Sequence, residues 1–251
     1  MPRRFTQKLA SSKLTEPARS EMSSIPDHFW YRIEFMLSII ACLAGVFILL
    51  AVSESLTIKG THKGELVRKF THITVGIFVA SWPWLISWRA IQIIGIAMAV
   101  VVFVNRRFDF FRFNKGLRRE SYGDYFFALA ITACALLTSS KIFFALAMLN
   151  LALADGFAAV VGRKYGGKWK YKIFGHAKTV IGTMTFWFIS LAVFATGGLL
   201  AHAQLDINGY VVLIVLAPPI LTFLESASPQ GLDNLIIPLA AIGLLHIVAA
   251  L

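Results

Sequence analysis

Charged residues are scarce in this chain. Asp, Glu, Lys and Arg make up 15% of its 251 residues, while hydrophobic residues reach 57% and the mean hydropathy is +0.71. A typical soluble domain carries about 25% charged residues. The shortage therefore excludes an ordinary soluble protein, and we predict a multi-pass membrane protein.

Other common signals are also missing. Both cysteines, Cys42 and Cys134, lie in apolar segments, so we interpret them as small packing residues rather than a disulfide or zinc pair. With four metal-binding cysteines absent, no structural zinc site is supported. The chain has no P-loop pattern of Gly, four residues, Gly, Lys and Ser or Thr. Its N-terminal tail is no convincing secretory signal, because acids interrupt a long basic region.

Eight apolar segments divide the chain, each close to the roughly 17 to 25 residues that cross a bilayer. Because no alternating strand pattern appears, we predict an all-α fold, a polytopic membrane helix bundle of about eight transmembrane helices. The bundle would occupy residues 35–251, after a basic tail at residues 1–34 that is interfacial or disordered. Pro218-Pro219 should kink or break the seventh segment. The segments are Phe35–Val52, Phe70–Ile86, Trp88–Val104, Tyr125–Ser139, Ile142–Val161, Val180–Ala201, Tyr210–Leu224 and Leu235–Leu251.

Positive charge separates the connectors between these segments. The odd-numbered connectors hold sixteen Lys and Arg residues, whereas only two, Arg89 and Lys141, lie in or next to the even-numbered ones. By the positive-inside rule, the odd-numbered connectors face the cytoplasm. The N-terminal tail disagrees, because six basic residues would lie on the outer side. A re-entrant first segment would explain this conflict, but the tail also contains acids, and we rely on the connectors.

Asp155 interrupts the fifth apolar segment. A carboxylate at membrane depth costs about 2.5 to 3.5 kcal/mol, so its presence indicates a functional site. The segment leads into a loop rich in glycine and lysine, residues 162–170, and Lys178-Thr179 follows it. Glycines admit phosphate close to the backbone, lysines supply charge, and a helix beginning near Thr179 offers its positive end. We therefore predict that Asp155 and this loop form one half of a site for a metal-bound triphosphate. The alternative is that the loop is basic only because it faces the cytoplasm, and that Asp155 is an unrelated acid between helices.

More polar groups fall on the same predicted side of the membrane. The seventh connector contains two acids and no base, which favours metal or hydroxyl positioning over helix capping. The basic groups have alternative roles. Cations near the start of the second helix could extend their side chains to the membrane surface, and Arg106 to Arg119 could attract anionic lipid heads. The groups are Glu65, Arg68, Lys69 and His72; Arg119, Ser121 and Gly123; and Glu225, Asp233 and Asn234.

These motifs occur in a characteristic order. They run Glu65...Arg68-Lys69...His72...Gly76, Arg119-Glu120-Ser121-Tyr122-Gly123, Asp155-Gly156-Phe157-Ala158-Ala159...Gly162-Arg163...Gly166...Lys178-Thr179...Gly182-Thr183 and Glu225...Asp233-Asn234...Pro238. In order and spacing they resemble the CTP-dependent polyprenol kinase family. That family includes dolichol kinase, phytol kinase and yeast-type diacylglycerol kinase, and it resembles phosphatidate cytidylyltransferase across the later helices.

The resemblance implies transfer of the γ-phosphate of CTP, or of another NTP, to a long-chain isoprenoid alcohol or diacylglycerol, with Mg²⁺ as cofactor. Carried over by motif, it implies catalytic roles for Asp155, Asp233, Lys178 and His72. Asp155 would bind the metal, and Asp233 would either bind a second metal or accept the alcohol proton. The expected nucleotide-binding residues are Gly162, Arg163, Lys164, Gly166, Lys178, Thr179, Gly182, Arg68 and Lys69. Glu65, Ser121, Glu225 and Asn234 would position the substrate. The bulky, basic run from Trp169 to Phe174 departs from the family pattern.

Two other functions remain open. A cytidylyltransferase that makes a CDP-lipid would use the same acids and loop, although the late segment lacks the Lys-Arg and double-acid signature of that family. A transporter or channel for an anionic solute would distribute its polar groups towards both membrane faces. The partners we expect are the nucleotide, the lipid alcohol and membrane lipids, with no nucleic acid.

Overall fold

The structure is a computed structural model that describes residues 27–57, 64–108, 122–174, 176–229 and 231–251. A π-helical turn, Leu151–Asp155, joins the helices Lys141–Asn150 and Gly156–Tyr165 into one continuous stretch. Two strands, β1 (Lys170–Ile173) and β2 (His176–Thr179), form an antiparallel hairpin in which Lys170 is opposite Thr179. The helices are α1 (Asp27–Thr57), α2 (Gly64–Ala80), α3 (Trp82–Leu85), α4 (Trp88–Phe108), α5 (Gly123–Leu137), α6 (Lys141–Asn150), α7 (Gly156–Tyr165), α8 (Val180–Leu200), α9 (Ile207–Ala227) and α10 (Asp233–Val248).

Helical structure covers every predicted apolar segment. By length and composition, four stretches can cross a membrane: Arg32–Ser53, Lys141–Tyr165, Val180–Leu200 and Ile207–Ala227. Shorter apolar helices occupy Trp88–Val104, Gly123–Leu137 and Asp233–Val248. The prediction of an all-α polytopic membrane helix bundle is confirmed, and the short hairpin is its one addition among the described residues.

Prolines lie at two places where the sequence bears on helix continuity. The chain divides into two helices near Pro83 but remains one helix at Pro218-Pro219. The second segment divides at Ser81, because α2 ends at Ala80 and α3 begins at Trp82 with Pro83 in its first turn. Proline is compatible with a first turn but removes a hydrogen bond from a helix interior. The seventh segment nevertheless continues through Pro218-Pro219 as one helix of 21 residues. The expected break there is wrong, while a kink stays a prediction.

The stretch from Lys141 to Tyr165 is the central element of the bundle. Its first part, α6, packs against α2, α8 and α10, and Phe144 and Met148 are completely buried in it. By contrast, α1 packs mainly on α2 and exposes large apolar side chains such as Phe47. An exposed apolar surface of this kind is expected where a helix faces lipid. The bundle therefore packs around one largely buried stretch that carries Asp155 in its π-helical turn.

Packing also accounts for the two cysteines. Cys42 on α1 and Cys134 on α5 are both buried and both free. Their predicted role as packing residues is confirmed.

Candidate active site

Asp155 is placed by an irregular helical turn. It is the last residue of the π-helical turn, and its side chain is only 7% exposed. Gly156 follows, where any side chain would collide with Ile73 of α2. The glycine therefore lets α2 approach closely beside the carboxylate. Single π-helical turns are frequent at functional sites because they reorient side chains within a helix.

Two residues of α2 contact the Asp155 carboxylate on the same oxygen. Lys69 Nζ donates a hydrogen bond to Oδ2 at 2.7 Å. His72 Nε2 lies 3.6 Å from Oδ2, beyond hydrogen-bond distance, and this buried nitrogen has no hydrogen-bond partner among the described residues. The histidine ring instead meets Phe127 edge-on, with ring centroids 5.3 Å apart. Since both contacts use Oδ2, Oδ1 of Asp155 lacks a partner in the described part of the chain.

A second ion pair joins β2 to the end of α9. Lys178 Nζ donates to Glu225 Oε1 at 2.5 Å and to the backbone oxygen of Glu225 at 3.1 Å. Burial alone lowers the pKa of Lys178, but the negative charge of Glu225 and its hydrogen bond outweigh that effect and raise the pKa above its usual value. Lys178 is therefore cationic throughout the neutral range. The Glu225 side chain is only 8% exposed, so the lysine neutralises a buried acid.

Asp233 lies within electrostatic range of both ion pairs. It is the first residue of α10, and its charge interacts with Asp155, Lys69, Lys178 and Glu225. These five residues and His72 form what we call the charged cluster. Its members come from five elements, namely α2, the π-helical turn, β2, α9 and α10, so the predicted convergence of acids and cations at one end of the bundle is present in the structure.

The Asp233 carboxylate is only partly engaged. Its Oδ1 accepts a hydrogen bond from the backbone N–H of Asn234 at 3.0 Å, and no described residue hydrogen-bonds Oδ2. Asn234 itself is buried and donates from Nδ2 to the backbone oxygen of Gly123 at 2.9 Å. Asn234 thus fixes α10 to the start of α5 and holds its neighbour Asp233 in place.

The glycines of the predicted phosphate loop have a packing role. Gly162 lies inside α7, and a side chain there would come within 3.0 Å of the Gly182 backbone on α8. Gly166 ends α7 against Thr179. Thr179 caps α8, accepting a hydrogen bond from the N–H of Gly182 at 3.1 Å. These contacts hold α7, β2 and α8 together beside the charged cluster.

The remaining predicted residues lie on α2 or α7, or outside the described part of the structure. Arg163 and Lys164 are exposed on the last turn of α7. Arg68 lies on α2, where its charge acts on His72. Glu65 also belongs to α2, but its side chain lies outside the described part of the structure, as does all of Ser121.

The donor set fits a metal that arrives with a nucleotide. Within the described ranges, no group of three or more His, Cys, Asp or Glu side chains could hold a metal ion. Mg²⁺, however, is usually held by one or two carboxylates together with water and substrate phosphates. Asp155 and Asp233 each offer one carboxylate oxygen without a described partner. Asp155 could hold the ion, and the open oxygen of Asp233 could hold a second ion or accept a proton.

One known protein resembles the chain over most of its length. A phytol kinase from Synechocystis sp. is 30% identical over 201 residues, which cover 75% of this chain and 82% of that protein. The chain belongs to the phytol kinase family. The resemblance to prenol-type kinases is confirmed at this level, and this phytol kinase family member is accordingly a membrane-bound enzyme of the lipid-alcohol kinase type. No family model matches the chain, and no solved structure matches it.

Sequence reasoning missed a hydroxyl network beside the cluster of this family member. Tyr171 Oη on β1 lies 2.5 Å from Thr183 Oγ1 and 3.0 Å from Ser226 Oγ. Lys170-Tyr171-Lys172-Ile173 alternates charged and apolar residues, with the charged ones exposed. Such alternation is typical of a strand with one covered face. That signal predicts the strand, but not the hydroxyl partners.

Proposed function

We propose that this protein is an integral-membrane kinase that transfers the γ-phosphate of CTP to an isoprenoid alcohol. The charged cluster is the observation that carries the proposal. Two lysines and two incompletely bonded carboxylates meet at one end of an apolar bundle, in a chain of the phytol kinase family. A nucleotide site next to lipid requires this combination of charge and hydrophobic surroundings.

Both lysines keep donors available for phosphate oxygens. A lysine ammonium has three N–H donors. Lys69 uses one on Asp155, and Lys178 uses two on Glu225. In the proposal, these cations and Arg163 steady the triphosphate while Asp155 binds Mg²⁺. The ion, when bound, neutralises charge on the transferring phosphate.

Phosphoryl transfer itself requires mainly alignment and charge stabilisation. The alcohol oxygen forms a bond to the γ-phosphorus, the bond from that phosphorus to the β–γ bridging oxygen breaks, and CDP leaves. Asp233 either accepts the alcohol proton or binds a second metal ion. Its open Oδ2 supports both roles. The cluster would face the cytoplasm, since the basic connectors lie on its side.

Two separately labelled forms of CTP test this function. Purified protein is incubated with Mg²⁺, with CTP labelled at either the α or the γ position, and with one acceptor at a time: phytol, farnesol, a polyprenol, diacylglycerol or, for the rival reaction, phosphatidate. We expect γ-label in the lipid and none from the α position. Transfer of α-label would identify a cytidylyltransferase, and absence of both labels from every alcohol would contradict the proposal. Competition by UTP and ATP then measures the nucleotide preference.

A further inference from the structure

A groove lies on the outer surface of the bundle between α8 and α9, below β1. Its volume is about 460 Å³, and its apolar lining includes Ile173, Met184, Trp187, Pro219 and Phe223. This size falls within the range of about 300 to 1,000 Å³ that is usual for small-molecule sites. The groove is therefore large enough for a hydrocarbon chain.

One edge of the groove is polar. Tyr171, Thr183 and Ser226 all line it, and the Tyr171 hydroxyl bonds to both of the others. Ser226 Oγ also donates to Glu225 Oε2 at 3.3 Å. Glu225 in turn holds Lys178. A continuous chain of hydrogen bonds thus leads from the groove to the charged cluster.

The apolar part of the groove is open to the surroundings of the bundle. Met184 is 52% exposed and Phe223 is 60% exposed. Both lie on helices long and apolar enough to cross a membrane, so the groove opens towards lipid. An occupant that matches both its parts has a long apolar body and a small polar head. A nucleotide or a hydrophilic peptide has neither the apolar body nor a route through lipid.

We propose that this groove binds the hydrocarbon tail of the lipid-alcohol substrate, and that Tyr171 and Ser226 direct its hydroxyl towards the charged cluster. The inference rests on the proposed kinase function and adds the place of the acceptor. In this arrangement the tail enters sideways from the bilayer, whereas the nucleotide reaches the same cluster from water. Tyr171 is a positioning residue, because its hydroxyl acts by orienting the acceptor.

Photolabelling tests the groove without requiring turnover. A prenyl alcohol with a diazirine on its tail is irradiated with the protein in liposomes, with no nucleotide present, and labelled peptides are sequenced. We expect label on α8 and α9 within the groove. Met184→Trp should reduce it about tenfold by filling the groove, a loss equivalent to about 1.4 kcal/mol of binding. Leu199→Trp is the matched control, because Leu199 is an exposed residue of the same helix that does not line the groove.

Each result has a defined meaning. Groove label that is lost in Met184→Trp and retained in Leu199→Trp supports the inference. Label elsewhere, no label, or equal labelling by a diazirine phosphatidylcholine, which indicates ordinary membrane lipid, overturns it. Because nucleotide is absent, these outcomes are distinct from failure of the kinase assay, which would contradict the proposed function instead.

Tyr171→Phe separates positioning from tail binding. Removing the hydroxyl should leave photolabelling and the KM for alcohol unchanged while lowering kcat about tenfold, since orientation acts on the reacting geometry. Loss of labelling together with activity would indicate a structural role for Tyr171 and contradict its role in orientation. Unchanged kcat would contradict it as well.

Discussion

The two ends of the helix bundle use polar residues in different ways. At the end where α6 and α9 begin, Ser140 and Asp206 each accept a hydrogen bond from an N–H three residues along their own chain, at 3.2 and 2.7 Å. At the other end, Lys69 pairs with Asp155 across 86 positions of sequence, and Lys178 pairs with Glu225 across 47. Local bonds stabilise helix ends, whereas long-range pairs assemble a site. Caps occur at both ends, since Thr179 caps α8 beside the cluster, but within the described residues the long-range ion pairs lie only at the cluster end.

Replacing Asp155 at the cluster end should lower activity far more than the equivalent replacement at the opposite end. Asp155→Asn removes the carboxylate proposed to bind Mg²⁺, a contribution of several kcal/mol, so kcat should fall by about 10³-fold or more. The measurement is γ-phosphate transfer to alcohol by protein that elutes as a single species in detergent. Asp206→Asn is the matched control and should transfer phosphate normally. Full activity of Asp155→Asn would remove this residue from the mechanism.

Asp233→Asn should have the next largest effect. General-base catalysis typically contributes about 10²- to 10⁴-fold, so we expect kcat to fall by about 10²-fold while the KM for alcohol changes little. The steady-state constants are compared with those of the wild type over a range of alcohol concentrations. A variant with raised KM and unchanged kcat would show that Asp233 only contributes to substrate binding.

Single and double variants of the Lys178–Glu225 pair distinguish its effect on stability from its effect on activity. Lys178→Met leaves a buried carboxylate unpaired, and breaking a buried pair in this way costs about 3 to 5 kcal/mol. Lys178→Met combined with Glu225→Leu removes both charges and should recover most of that stability without recovering phosphate transfer. Unfolding in mixed detergent measures the first quantity and the labelled-CTP assay the second. If the double variant is active, the pair has a purely structural role.

Removing the cap at the opposite end should have the smallest effect. Asp206→Ala deletes the side chain that bonds the Gly209 N–H at the start of α9. Loss of such a cap costs about 0.5 to 2 kcal/mol of stability. We expect a slightly lower unfolding midpoint and unchanged kcat. A large loss of activity would contradict the division between the two ends.

Composition and apolar run length were enough to predict the helix bundle, because hydrophobic segments of this length have few other stable structures in lipid. Charge was enough to find Asp155, an acid inside an apolar segment. It also drew attention to Glu225 and Asp233, two acids in a connector without bases, and to Lys178 after the glycine-rich loop. The pairing of Lys69 with Asp155 was not predictable, because it depends on the close approach of α2 at Gly156. The sequence predicted that these residues would lie together at one end of the bundle, but not which of them would pair.

Glycine and proline residues show a second reason why sequence alone did not predict the structure fully. Gly162 and Gly182 suit both phosphate binding and close helix packing, and only the structure shows them packed against each other. Pro218-Pro219 predicted a break, yet α9 continues through both residues. That helix packs against α8 and α10, and tertiary packing can override local preference. Local signals were therefore weakest where neighbouring helices determine the geometry.

The most direct test of the charged cluster is nucleotide-dependent binding of Mn²⁺, used in place of Mg²⁺ and followed by electron paramagnetic resonance. With a CTP analogue that cannot transfer its γ-phosphate, wild-type protein and Asp206→Asn should bind Mn²⁺ tightly. Asp155→Asn should bind it at least about tenfold more weakly, because a carboxylate ligand is lost. Equal Mn²⁺ affinity in Asp155→Asn and the wild type would contradict the claim that this buried acid holds the metal–nucleotide complex.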